Sequence, residues 1–187
     1  MQTHISILRG INVGGNRILR MADLRDWYAN LGFEQVQSFI QSGNLLFRSV
    51  LQETSNLESA IARKIFDESA LQVPVVVLEM DQLNKIVDLN PFLLQTGINP
   101  ESLHVTFLSE TPSGELLDRI MGNDYLPDQF YLSDKQVYLY CPNGYGNTKL
   151  NNHFFESKLK VTATTRNWKT LVQLVNLAKE QQSGSAD

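Results

Sequence analysis

The sequence has a single cysteine, Cys141, and only three histidines. One cysteine cannot form a disulfide within the chain, which is typical of a protein in a reducing cytoplasm. The histidines are scattered, and the glycine-rich segments hold no carboxylate cluster, so we expect neither a metal site nor a cofactor. Cys141 has no histidine near it in sequence, which favours packing over nucleophilic catalysis. Whether the chain is an enzyme stays open at this point.

The sequence also lacks long apolar runs. No stretch of about 18 consecutive apolar residues occurs, and the start shows no basic segment followed by a long apolar one. These absences predict neither a membrane span nor a signal peptide. A cytoplasmic location of bacterial type is the expectation.

Positive charge is scarce overall but concentrated near the start. The net charge of −4 argues against a protein that binds nucleic acid over its whole surface. Between residues 9 and 25, however, the sequence contains four arginines and a single acidic residue, Asp23. Such a concentration favours a focused anion site.

Hydrophobic periodicity predicts an α+β fold of two ferredoxin-like units, each with an antiparallel sheet and β-α-β-β-α-β order. A length of 187 residues with 42% hydrophobic content accommodates two such units. A Ser55 to Glu58 capping box is predicted to open the second helix. The predicted elements of the first unit are strand 3–8, helix 21–31, hairpin strands 36–41 and 45–48, helix 55–71, strand 74–78 and an added helix 81–89. Those of the second are strand 103–108, helix 112–121, strands 129–132 and 136–140, helix 150–159, strand 161–164 and an added helix 166–179.

Dense Pro and Gly punctuation between the units predicts the domain limits. We expect a first unit over 1–90, a linker over 91–100, a second unit with its C-terminal helix over 101–182, and a tail over 183–187, with disorder from residue 181. The two first strands read His4 to Leu8 and His104 to Leu108 with the same order of residue types. Their alternation predicts that Ile5, Ile7, Val105 and Phe107 lie on the sheet face that the helices cover. The histidines and the hydroxyl residues are predicted on the opposite face.

A basic, glycine-rich loop follows the first strand, from Arg9 to Arg17. Gly10 and Gly15 have the G-x-x-x-x-G separation of a P-loop, but Asn16 and Arg17 stand where Lys and Ser/Thr are required, which disfavours nucleotide triphosphate hydrolysis. Binding of a smaller anion by backbone amides remains compatible with the loop. The alternative is that the glycines only turn the chain and that the arginines are solvated.

Two further segments repeat this chemistry. Residues 143–149 form a glycine-rich loop that carries Lys149 before a helix, and residues 164–168 are predicted to start the last helix with Thr165 as its cap and Arg166 in its first turn. A cation in the first helical turn is electrostatically unfavourable unless an anion or a carboxylate neutralises it. A purely structural explanation is equally compatible with these segments: the glycines turn the chain, Thr165 caps the helix and Trp168 packs on the core.

The leading hypothesis is a small anionic or phosphorylated metabolite bound in a cleft between the two units. Any reaction would be metal-free transfer, with His104 as the candidate proton carrier. One alternative is an RNA or single-stranded nucleic-acid module using Tyr138 and Tyr140 on one strand face; another is an interaction protein without a ligand. The predicted ligand-binding residues are Arg9, Gly10, Asn12, Gly14, Gly15, Arg17, Ser42, Asn44, Lys149, Arg166 and Asn167.

Four segments, at residues 8–15, 40–44, 103–108 and 164–168, closely resemble the bacterial proteins known as domain of unknown function 1697. The resemblance runs over nearly the whole chain, and it implies a cytosolic α+β protein with two ferredoxin-like units and no established activity. Members often carry Lys after the double glycine, where this chain has Asn16. Their Gly-x-Gly-x-Ser-Lys-Leu element is matched by Gly144, Gly146, Thr148, Lys149 and Leu150.

Overall fold

The computed structural model describes residues 1–15, 17–51 and 53–183. Over these ranges the chain forms strands and helices in the order that the periodicity predicts. The strands are β1 (Gln2–Leu8), β2 (Glu34–Phe39), β3 (Asn44–Ser49), β4 (Val75–Glu79), β5 (Leu103–Leu108), β6 (Gln129–Ser133), β7 (Gln136–Tyr140) and β8 (Ala163–Asn167). The α-helices are α1 (Met21–Asn30), α2 (Thr54–Ser69), α3 (Met80–Asp88), α4 (Gly114–Met121), α5 (Asn152–Leu159) and α6 (Trp168–Ser183).

The strands form two four-stranded antiparallel sheets of the same topology. Their orders are β2-β3-β1-β4 and β6-β7-β5-β8. The predicted α+β class with two βαββαβ-type antiparallel units is therefore confirmed. The chain divides into a first unit, which comprises Met1–Lys85 and the chain from Gln173, and a second unit, Ile86–Val172. Asn16, the residue after the double glycine, and residues 184–187 of the predicted tail lie outside the described residues.

Helices α1 and α2 cover one face of the first sheet. The apolar residues of α2 recur at positions 57, 61 and 65, which puts them on one side of the helix, and all are fully buried. They join Leu24 and Tyr28 of α1 and Leu45 and Phe47 of β3 in one core. Phe47 packs edge-on against Tyr28, with ring centroids 5.4 Å apart. No described helix is both long and apolar enough to cross a membrane.

The predicted assignment of sheet faces is wrong. The Ser6 hydroxyl lies 2.8 Å from the Tyr28 hydroxyl of α1, and His4 stacks on Phe47, so the polar residues of β1 lie under the helices. Ile5 and Ile7 point to the opposite face and are nevertheless fully buried. Alternation identifies the two residue sets of a strand, but it cannot say which set meets the helices when both are buried.

The second sheet repeats this inversion. Leu108 belongs to the core under α4 and α5, and the Thr106 hydroxyl lies 2.7 Å from that of Thr165, which donates to Asn152 of α5. Thr106 is thus on the helix side and Phe107 on the other. The hydroxyls are tolerated there because each is hydrogen-bonded.

Two predicted helix starts also need correction. Helix α2 begins at Thr54 after Glu53, and Glu58 does not close a capping box; its carboxylate accepts from the backbone N–H of Val77 in β4 instead, at 2.9 Å. Residues 163–167 extend the second sheet as β8, so Thr165 is no cap and Arg166 lies in no helical turn. Pairing with β5, some sixty residues earlier, provides hydrogen bonds that the local sequence does not reveal.

Candidate functional site

The loop after β1 has an unusual backbone. Its φ angle is positive at Gly10 (66°), Asn12 (55°) and Gly14 (60°), but not at the residues between them. The backbone N–H of Asn12 donates to the carbonyl of Arg17 at 3.2 Å, which closes the loop on itself. Gly15 follows with φ of 76°, and nothing lies within 4 Å of where a Cβ would stand on Gly14 or Gly15. The loop is therefore open to a ligand at its tip.

Asn12 holds this loop in place. Its side-chain amide donates to the carbonyl of Leu19 at 2.9 Å and to that of Gln41 at 2.8 Å, and its oxygen accepts from the N–H of Leu19 at 2.8 Å. Three hydrogen bonds tie together the two ends of the loop and the turn between β2 and β3. The predicted loop and the predicted hairpin turn thus converge, and Asn12 serves as the brace between them.

The hairpin turn is close to the loop through its backbone as well. The N–H of Leu8 donates to the carbonyl of Gly43 at 2.8 Å, and Gly43, at φ 78°, packs so tightly that a Cβ would stand 2.8 Å from side-chain atoms of Leu8 and Ile11. Asn44 is fully buried, and its amide donates to Phe39 and to the hydroxyl of Ser42. Ser42 and Asn44 therefore shape the turn; a direct ligand contact by either stays a prediction.

Two arginines belong to the loop itself. Arg9 is half-buried. Its backbone N–H donates to the carbonyl of Pro74 at 2.9 Å, which anchors the start of the loop to the residue before β4. Arg17 is exposed, with φ of 47°, and its guanidinium lies 3.5 Å from the position of a Cβ on Gly10. A bulkier residue at Gly10 would meet that guanidinium. Arg9 and Arg17 thus stand at the two ends of the glycine-rich segment in the sequence.

In the second unit the structure joins the other two predicted segments. Tyr145, in the loop 143–149, donates through its hydroxyl to Thr165 of β8 at 2.9 Å. The same ring stacks on His104, with centroids 4.8 Å apart. Thr165 also contacts Thr106 and Asn152, so one hydroxyl collects three polar partners. Sequence reasoning missed Tyr145 and Asn152 as members of this network, because their partners are distant in the chain.

His104 has the environment of a structural residue. Its Nδ1 lies 3.3 Å from the carbonyl of Ser102, and its Nε2 lies 3.4 Å from the amide nitrogen of Asn167. A ring protonated at Nδ1 satisfies both contacts, donating to Ser102 and accepting from Asn167. Burial lowers the pKa of His104, despite the opposing effect of the Ser102 carbonyl. The neutral ring is the stable form, and a catalytic role stays a prediction.

Stability is expected to fall on acidification because of this buried ring. The unfolded chain binds a proton near pH 6.5, whereas the folded ring binds it only at lower pH, so the contribution of His104 is complete above pH 6.5 and is lost as pH falls through the folded pKa. His4, whose pKa burial also lowers, acts in the same direction. The slope for each is at most about 1.4 kcal/mol per pH unit.

Urea unfolding between pH 5.5 and 7.5 measures this effect. His104→Gln is expected to flatten the decline in the free energy of unfolding, whereas His153→Gln, at an exposed position, leaves it as in the wild type. An unchanged slope in the His104 variant would show that the ring does not titrate with folding.

The remaining predicted site residues of the second unit differ in exposure. Arg166 is buried, donates to the carbonyl of Thr165 at 2.9 Å, and has its pKa lowered by burial to about 10. Asn167 accepts from the N–H of Lys169 at 2.9 Å and so caps α6, the role predicted for Thr165. Lys149 is exposed and precedes α5 by three residues. A ligand contact by Lys149, Arg166 or Asn167 stays a prediction.

Neither the cysteine nor the acidic residues indicate another chemistry. Cys141 is fully buried, and burial raises the pKa of its thiol to about 11, so the reactive thiolate is scarce at neutral pH. Within the described ranges, no group of three His, Cys, Asp or Glu side chains is placed to hold a metal ion.

The chain is similar to known proteins in sequence over its larger part and in fold over nearly its whole length. The family model described as Protein of unknown function (DUF1697) matches residues 1–138. No curated protein matches the chain. Among solved structures, that of the conserved bacterial protein SP0830 from Streptococcus pneumoniae has a TM-score of 0.72 at 20% identity, covering 95% of this chain and 98% of that one. At this identity the likeness shows the fold alone, whereas the sequence match shows that the chain belongs to the DUF1697 family of proteins of unknown function.

Proposed function

We propose that the first unit binds a small anionic ligand, such as a phosphorylated metabolite, at the loop between β1 and α1. The observation that carries this proposal is the open tip of this arginine-bearing loop: nothing lies within 4 Å of where a Cβ would stand on Gly14 or Gly15, so a ligand can approach the backbone there. Asn12 braces that geometry before any ligand arrives, so little conformational entropy is lost on binding. Arg9 and Arg17 supply the opposite charge.

The rest of the protein supports a local site over a broad one. The chain is acidic overall, so an anion would be repelled from most of its surface and attracted to the arginine-rich start. Of the two tyrosines on which the nucleic-acid alternative depends, Tyr138 and Tyr140, the first is only 4% exposed and offers no open face to a base. The small-anion proposal needs no rearrangement of the sheet.

Titration calorimetry with inorganic phosphate at low ionic strength tests the proposal. The wild type is expected to bind in the millimolar range, about −4 kcal/mol. Arg17→Gln removes a charge-assisted contact and is expected to weaken binding about tenfold or more, as is Arg9→Gln. The measurement is the dissociation constant of each variant at one salt concentration.

Arg63→Gln is the matched control, because Arg63 is an exposed arginine of the same unit, on α2, paired with Asp67. It removes the same net charge outside the loop and is expected to leave the affinity nearly unchanged. Equal weakening by all three substitutions would mean that only net charge matters, and absence of phosphate binding by the wild type would remove the proposal.

A further inference from the structure

The edges of the two sheets are closed unequally. Each sheet has two edge strands, β2 and β4 in the first sheet and β6 and β8 in the second. The backbone N–H and C=O groups on the outer side of an edge strand can pair with another strand. At three of the four edges in the described part of the chain, a helix side chain bonds to a backbone group of the edge strand. Strand β6 is the exception.

Strands β4 and β8 are closed by a glutamate. Glu58 of α2 accepts from the N–H of Val77 in β4 at 2.9 Å, and Glu156 of α5 accepts from the N–H of Ala163 in β8 at 3.1 Å. The two units thus use the same device at the corresponding edge of each sheet. Another strand could pair there only by displacing the carboxylate.

Strand β2 is closed by an amide and by its own irregular backbone. Gln181 of α6 donates to the carbonyl of Gln35 at 2.6 Å. The register with β3 shifts between Glu34 and Gln37, and the φ of Gln35 is 50°. A bulge of this kind twists an edge away from a straight neighbour. Strand β2 therefore presents no straight row of free backbone groups.

Strand β6 has none of these features. It pairs with β7 in one unbroken register from Gln129 to Ser133, and no described residue outside β7 is hydrogen-bonded to its backbone. Among the edge strands of the described chain it alone has no charged residue; the others contain Glu34, Glu79 and Arg166. Two copies of β6 can therefore approach each other without repulsion between charges in the strands.

We propose that β6 is a dimerisation edge, to which β6 of a second copy of this chain adds antiparallel with the two-fold axis at Tyr131. Tyr131 is the middle residue of the strand and is 43% exposed. In this register Phe130 lies opposite Leu132 of the second copy, and the axis repeats the pair, so each cross-strand pair joins an aromatic and an aliphatic residue. Backbone hydrogen bonds then unite two four-stranded sheets into one continuous sheet.

The ends of β6 limit the strength of this contact. Asp128 and Asp134 flank the strand and lie opposite each other in the proposed register. Each carboxylate accepts from a threonine hydroxyl of its own unit, Thr148 and Thr111 respectively. The like charges are still close, so salt is expected to strengthen the dimer by screening them. Two five-residue strands also bury less area than a standard interface, so we expect a weak dimer in the micromolar range.

Sedimentation equilibrium of the full chain over a series of protein concentrations tests the proposal. The double variant Gln129→Lys, Ser133→Lys places like charges opposite each other at both ends of the paired strands and is expected to raise the dimer dissociation constant about tenfold. The double variant Gln129→Lys, Ser133→Glu places opposite charges at the same positions and is expected to dimerise at least as tightly as the wild type. Gln129 is half-buried and Ser133 is exposed, so both variants are expected to fold, which far-UV circular dichroism checks.

Gln37→Lys is the control, because Gln37 is an exposed glutamine of the closed edge β2. It is expected to leave the dissociation constant unchanged. A wild type that stays monomeric at every concentration would overturn the proposal and favour an extended segment of another protein as the occupant of this edge. Unweakened dimerisation of the like-charge variant, or equal weakening by both double variants, would also overturn it. None of these outcomes bears on the anion site.

Discussion

Gly43→Ala is expected to destabilise the protein by about 2 to 5 kcal/mol. The alanine Cβ would stand 2.8 Å from Leu8 Cβ and from Ile11 Cδ1, closer than real carbon contacts permit. Overpacking of this kind costs about 1 to 3 kcal/mol. The φ of 78° adds about 1 to 2 kcal/mol for any residue with a side chain. Urea unfolding measures the sum.

Gly32→Ala provides the matched control. Gly32 has nearly the same φ, 80°, but nothing lies within 4 Å of its Cβ position. It is expected to cost only the conformational part, about 1 to 2 kcal/mol. If the two variants were equally stable, the close approach of the hairpin turn to the loop would not be needed for folding. The difference between them isolates that approach.

Asn12→Gly is expected to lower the free energy of unfolding by about 2 to 4 kcal/mol. Glycine keeps the left-handed backbone that Asn12 adopts, so the loss reflects its three side-chain hydrogen bonds at roughly 1 kcal/mol each. Hydrogen exchange at the N–H of Leu19 is expected to accelerate, because this amide donates to the Asn12 oxygen. Urea unfolding and amide exchange measure the two effects separately.

Asn12→Asp distinguishes the donor from the acceptor. The carboxylate keeps an acceptor for Leu19 N–H but replaces the donor that contacts the carbonyls of Leu19 and Gln41. It is expected to be at least as destabilising as Asn12→Gly, since an anionic oxygen would face two carbonyl oxygens. A variant as stable as the wild type would mean that Asn12 does not brace the loop to the turn.

Local signals accounted for the helices and strands. The 3.6-residue period of α2 and the turn residues Ser42 to Asn44 are short-range features, and both elements appear within two residues of their predicted limits. The loop from Arg9 to Arg17 was conspicuous for the same reason. Glycines and arginines close together in sequence are visible without any knowledge of the fold.

The roles of particular side chains could not be predicted this way. Asn12 is among the predicted ligand-binding residues, and its role as a brace depends on residues 7 and 29 positions away. Arg166 was expected in a helical turn, yet it is buried in a strand whose partner is β5. In each case the deciding contact is distant in the chain, and no local pattern encodes it.

Residue order alone was thus enough to specify two βαββαβ units, the absence of an internal disulfide and the presence of a basic glycine-rich loop. Tertiary packing decided which sheet face meets the helices, where Ser6 finds Tyr28 and Thr106 finds Thr165. It also decided that the loop is braced against the hairpin turn through Asn12. The physical reason is that periodicity and turn chemistry act over a few residues, whereas burial and hydrogen-bond partners are set by segments that meet only once the chain has folded.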